Sequence, residues 1–196
     1  VPEKGEKKNL IELVKKNILA HNLKENERLE ELQKIINLNE FPRIIECFDI
    51  SHLGGTSTVA SMVQFKDGKP DKSNYRKFKI RSVEYIDDFK AISEVVRRRY
   101  NRLVVEKLKF PDLIIIDGGK GQLSSALEEL EKLNLKIPII SIAKKFEEVY
   151  IPGRENPIKA SKKNIGLQLI QEIRDEAHRF AISYQKILRS KEVFKK

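Results

Sequence analysis

The stretch LIIIDGGKGQL, residues 113–123, constrains the fold of this chain more than any other. Its leading apolar run offers no polar face, so a strand built from it must be covered on both sides. An acid, two glycines, a lysine and a third glycine then lead into KGQLSSALEELEKL, whose apolar residues recur at helical spacing. A doubly covered strand followed at once by an amphipathic helix is half of a β-α-β crossover. IPIISIA, residues 137–143, supplies the next buried strand. The chain therefore contains parallel strands, and such sheets place ligands at the strands' carboxyl ends.

The glycines do not make a nucleotide-triphosphate loop. That motif needs a glycine five positions before Gly119 and a hydroxyl after Lys120, and neither is present. Gly118, Gly119 and Gly121 still permit close backbone approach, and Lys120 at a helix start favours an anion.

Upstream the pattern changes. RIIECFDIS (43–51), VASMVQF (59–65) and YRKFKIRSV (75–83) read as three strands joined by short connections, with KDGKP as a hairpin turn. Residues 88–108 read as a helix with Phe89, Ile92, Val95, Val96 and Leu103 on its apolar face. EEVYIPG and PIKA suggest a further hairpin, and a long helix runs from Ile165 to Leu188. The expectation is an α/β fold with a mixed five-stranded sheet flanked by helices. Residues 8–22 and 25–38 read as two helices, one with Leu10, Leu13, Val14, Ile18 and Leu19 at helical spacing. Residues 1–40 are thus expected to form a helical lead-in or linker, and 41–196 the main domain.

The 39 basic residues outnumber the 29 acidic ones, a net charge of +10. That balance suits a polyanion such as nucleic acid, and equally a lysine-rich solvated surface. The single cysteine, Cys47, sits in an apolar run and reads as a small core residue of a reducing, cytoplasmic compartment. No apolar run approaches the roughly 20 residues that span a bilayer, so no membrane partner is expected. The charged N-terminus is not a signal peptide, and with Val as its first residue the chain is expected to be a fragment.

Two apolar runs end in an acid, Asp49 after IIECF and Asp117 after LIII. A carboxylate there belongs at the sheet rim, since burying it unpaired is costly. On neighbouring strands the two would converge as hard oxygen ligands for Mg²⁺ or Mn²⁺. Alternatively each caps a turn or the next helix. His178, in RDEAHRF beside an apolar stripe, is either a boundary histidine or a ligand or base. His52 follows FDIS in a turn. Asp87 and Asp88 open a helix, and capping accounts for one of them. Arg97, Arg98, Arg99 and Arg102 spread over several faces of that helix.

Taken together, FDISHLGGTSTVASMVQFKDGKPDKSNYRKFKI, DDFKAISEVVRRRY, PDLIIIDGGKGQL, SIAKKFEEVYIPG and LIQEIRDEAHRFAISY resemble the C-terminal endonuclease domain of UvrC, over about residues 40–190 and in the same order. The resemblance implies a ribonuclease-H-like fold. It also implies a divalent-metal-dependent nuclease (Mg²⁺ or Mn²⁺) that cuts damaged double-stranded DNA on the 5′ side of a lesion in nucleotide excision repair. By motif position its Asp–Asp–His metal set falls on Asp49, Asp117 and His178, and Asp88 matches a further acid implicated in activity. Lys120, Arg97, Arg174 and Arg179 are candidates for DNA-backbone contacts, and Lys144, just after the strand IPIISIA, is a DNA-site candidate for positioning water or phosphate. The GIY-YIG nuclease, the helix-hairpin-helix tail and the UvrB-binding segment of the full-length family are expected outside this chain. Gln185 stands where relatives often carry His. The rival expectation is a catalytically silent nucleic-acid-binding module of the same fold.

Overall fold

A computed structural model describes residues 6–53, 57–80, 87–144 and 147–193. One sheet organises it. β1 (Ile44–Leu53) and β2 (Ser57–Lys66) form a long antiparallel pair, with Ile44 opposite Lys66 and Leu53 opposite Ser57. The chain then turns through Asp67 and Gly68, both at positive φ (50° and 77°), the geometry that an Asp-Gly hairpin favours. β3 (Lys69–Pro70) and β4 (Arg76–Lys79) both return along β2. Helix α2 (Asp88–Val105) carries the chain over one face to β5 (Leu113–Asp117), parallel to β1. Helix α3 (Lys120–Lys132) leads on to β6 (Ile139–Ala143), parallel to β5. β7 (Glu148–Tyr150) closes that edge in antiparallel pairing, with Val149 bridging to Ile158.

The expected architecture is present, and the sheet has seven strands where five were expected. The strand not expected is β3, two residues long and too brief to show a periodic pattern, while β7, with Val149 bridging to Ile158, is the hairpin expected of EEVYIPG and PIKA. The third expected strand is confined to Arg76–Lys79 in the described part, and residues 81–83 of that expectation lie outside the described residues.

Alternation along the strands sends side chains to two cores. Ile45, Cys47, Val63, Leu113 and Ile115 pack under α4 (Ile165–Val193). Phe48, Met62, Ile114 and Ile116 pack under α2 and α3. β5 is buried on both sides throughout, as its composition required.

The two expected N-terminal helices are one, α1 (Glu6–Ile36). No glycine or proline interrupts the sequence between them, so the helix has no reason to break. Its second half belongs to the core. Leu29 and Leu32 are fully buried, and Arg28 reaches Glu172 of α4. Another expectation fails in α2. Ile92, Val95, Val96 and Leu103 are buried, but Phe89 is 55% exposed. Among the described residues no helix is long and apolar enough to cross a membrane.

Candidate active site

The parallel register of β1 and β5 pairs Phe48 with Ile116, so the next residues, Asp49 and Asp117, stand side by side at the carboxyl rim. Both are buried, at 2% and 9% exposure, and both lie on the sheet face that α4 covers. Ser61 of β2 donates its hydroxyl to the Ala177 carbonyl oxygen (3.1 Å), which fixes the turn of α4 carrying His178. The His178 Nδ1 then lies 3.5 Å from Asp49 Oδ1. One ligand atom from each of Asp49, Asp117 and His178 lies within 4.8 Å of the others.

Lys144, just past β6, inserts its ammonium among all three. Its Nζ is 3.2 Å from Asp117 Oδ2, 3.9 Å from Asp49 Oδ1 and 3.3 Å from His178 Nδ1. The Asp117 contact has ion-pair distance but not hydrogen-bond alignment, so the buried Oδ2 keeps an unused acceptor. Asp49 is held by Ser51, whose hydroxyl donates to Oδ2 at 2.7 Å. Burial above all, and then the adjacent Asp49 carboxyl, push Asp117 up to about 7, against the pull of Lys144. Beneath the pair the Cys47 thiol is raised far above its ordinary value by burial and by both carboxylates.

A single cation thus sits where two buried acids and an imidazole converge, and one acid oxygen remains unsatisfied. That donor set fits a hard divalent ion, with Lys144 as the cation it would displace. The imidazole favours Mn²⁺ more than a purely oxygen site would.

Asp88 is not in this group. Its neighbour Asp87 caps α2 by accepting from the Lys90 amide (3.0 Å), which leaves the Asp88 carboxylate for other partners. Asp88 Oδ1 meets His52 Nε2 at 2.7 Å, and Gln122 Nε2 approaches Oδ2 at 3.4 Å. Gln122 in turn accepts from the Gly119 amide (3.0 Å), and the His52 carbonyl oxygen accepts from Gln185 (3.3 Å). A polar chain therefore joins the end of β1, the start of α2 and the loop after Asp117. The sequence showed no sign of Ser51 or Gln122. The only available clue was period: Ser51 shares a strand face with Asp49, and His52 takes the other.

The basic candidates separate. Arg97 is exposed on α2, and Lys144 lies in the site. Lys120 does not point freely outward: its ammonium donates to the Glu155 carbonyl oxygen and lies 5.3 Å from the centre of the Tyr150 ring. Arg174 is buried, with its guanidinium engaged by Glu147 (2.8 Å) and Asp175 (2.7 Å). Arg179 is exposed and paired with Glu176 at 2.6 Å.

Comparison with known proteins adds a family. A model of the UvrC RNAse H endonuclease domain matches residues 33–182. UvrABC system protein C of Methanosarcina mazei is 58% identical over 196 residues, which cover 100% of this chain and 38% of that protein. Its counterpart in Methanococcus maripaludis is 60% identical over 195 residues, covering 100% of this chain and 37% of that protein. The chain therefore spans less than two fifths of these relatives' length. Among solved structures, Ciona intestinalis endonuclease V, in complex with a 24mer DNA containing an inosine followed by a ribo-adenosine, is 15% identical, with a TM-score of 0.49 over 88% of this chain and 99% of that one.

Proposed function

The chain belongs to the UvrC RNase H endonuclease domain family, and from that premise we propose that it is the nuclease module that makes the 5′ incision in nucleotide excision repair. The reaction is divalent-metal-dependent hydrolysis of one phosphodiester in damaged double-stranded DNA. In the complete protein, UvrB is the partner that brings the module to its substrate.

The observation that carries this reading is the convergence of Asp49, Asp117 and His178 around a single ammonium, with one buried carboxylate oxygen unsatisfied. These three residues would hold Mg²⁺ or Mn²⁺, and the bound ion would supply an acidified water and a polarised phosphate. The protein's part is positioning. Ser51 holds the Asp49 carboxylate, and Ser61 holds the α4 turn that presents His178. Lys144, once released from the acids, reaches a non-bridging phosphate oxygen as a mobile positive charge. Asp88 acts at the rim, where its bonds to His52 and Gln122 keep the loop after Asp117 in register with the end of β1. Arg97 and Arg179 stand exposed for backbone contacts. Such contacts position DNA without reading sequence, as an enzyme cutting beside many lesions requires.

The test is Asp117→Ala in the full-length protein, with nicking scored on each side of a defined lesion. Loss of the 5′ nick with the 3′ nick retained is expected. An intact 5′ nick would sink the assignment and leave a catalytically silent DNA-binding module.

A further inference from the structure

Phe89 was expected in the core and is not there. It is 55% exposed, and among the described residues it is the only aromatic side chain that stands out into solvent. Its backbone is placed by the start of α2. It follows Asp88 in the first turn of α2, and the Asp88 carboxylate is bonded to His52 and approached by Gln122. The ring lies across Gly121 in the first turn of α3. A methyl group at Gly121 would stand 2.5 Å from the ring's Cε1, so only glycine leaves the ring its place. Gly121 itself comes four residues after Asp117. The outcome is a flat apolar surface that rests over a glycine and is exposed above, at the rim where the candidate active site lies.

We infer that Phe89 is a stacking platform for a nucleobase flanking the scissile phosphate. The inference rests on the nuclease reading for its substrate and goes beyond it by assigning a base-contacting residue. Two features support it. An aromatic face stacks on any base without reading its identity, which suits a substrate defined by damage rather than sequence. The metal-ligand candidates lie on the α4 side of the sheet and Phe89 on the α2–α3 side, so a strand crossing the rim meets first one and then the other. If Phe89 served only to cover Gly121, the ring would be expected to lie flat and largely buried against α3.

The test uses the 196-residue chain with metal withheld. Binding is measured to a single-stranded oligonucleotide carrying a fluorescent adenine analogue at successive positions. Phe89→Ala should weaken binding roughly 5- to 150-fold, the range for loss of one base–aromatic stack, and abolish quenching of the analogue at one position. Phe89→Trp should retain both. If Phe89→Ala leaves affinity and fluorescence unchanged and only lowers the melting temperature, the ring is a packing residue and the inference falls. Asp117→Asn separates the two readings. If that variant still nicks DNA, the nuclease assignment fails while a Phe89-dependent fluorescence signal still upholds the platform. If it is inactive and Phe89→Ala is silent in both binding readouts, the platform alone fails.

Discussion

Strand β1 carries two buried carboxylates three residues apart, and they behave in opposite ways. Glu46 is 1% exposed and points to the α2 side, where Arg99 and the Tyr100 hydroxyl (2.9 Å) bind its oxygens. That cluster is closed: one acid, one guanidinium and one phenol, each engaged. Asp49 points to the α4 side and shares its space with a second acid, Asp117, and one lysine. The acids there outnumber the cation, one oxygen is unsatisfied, and Lys144 and His178 open to solvent at 53% and 46% side-chain exposure. The burial of Glu46 and Asp49 is the same. What separates a structural ion pair from a site is whether the buried charges are balanced without a ligand.

The comparison can be broken experimentally. The largest effect should come from Asp49→Asn, which removes a charge from the unbalanced cluster. Nicking by the full-length protein should fall on the order of 10⁴-fold, since several kcal/mol of metal-dependent stabilisation is lost, while the melting temperature holds or rises. A variant that unfolds instead would place Asp49 with the structural group.

Next comes Glu46→Ala, which strands the Arg99 guanidinium. Denaturant titration should show a loss of about 3–5 kcal/mol, with nicking per folded molecule unchanged. A selective loss of activity would erase the distinction between the clusters.

The pH dependence of stability in metal-free protein should follow Asp117. Its carboxyl is raised to about 7, so the folded state holds a proton that the unfolded state has released. That contribution is complete below about pH 4 and is lost as the pH rises through about 7. Melting curves should therefore shift downward across this window, and Asp117→Asn should flatten the dependence. An unchanged slope in the variant would mean that another group titrates. The smallest effect should be that of Ser51→Ala, which removes the hydroxyl holding Asp49. Mn²⁺ affinity, followed by calorimetry, should weaken by about tenfold, at the low end for a residue that orients a ligand.

Some of this was legible before any coordinates. An apolar run ending in an acid puts that acid at a rim, and two such runs in a β-α-β context suggested Asp49 and Asp117 together. Other features were not legible, because they depend on contacts between distant segments. Lys144 read as a candidate for positioning water or phosphate after a strand, and only the adjacency of β5 and β6 places its ammonium among the donors. Arg174 looked available to DNA, and the fold engages it with Glu147. The Asp87–Asp88 pair showed that one residue would cap α2, but only the position of His52 across the rim showed which.

Helix α1 draws the line most clearly. Leu10, Leu13, Val14, Ile18 and Leu19 have the same helical spacing as Leu29, Leu32, Ile35 and Ile36, and both stretches are helical. Periodicity determined that much, because it depends only on the geometry of the chain itself. Leu29, Leu32 and Ile36 are buried against the core beneath α4, whereas the first five are exposed. Which stripe becomes core was decided by where α4 lies, and an apolar side chain is buried only if another surface arrives to cover it.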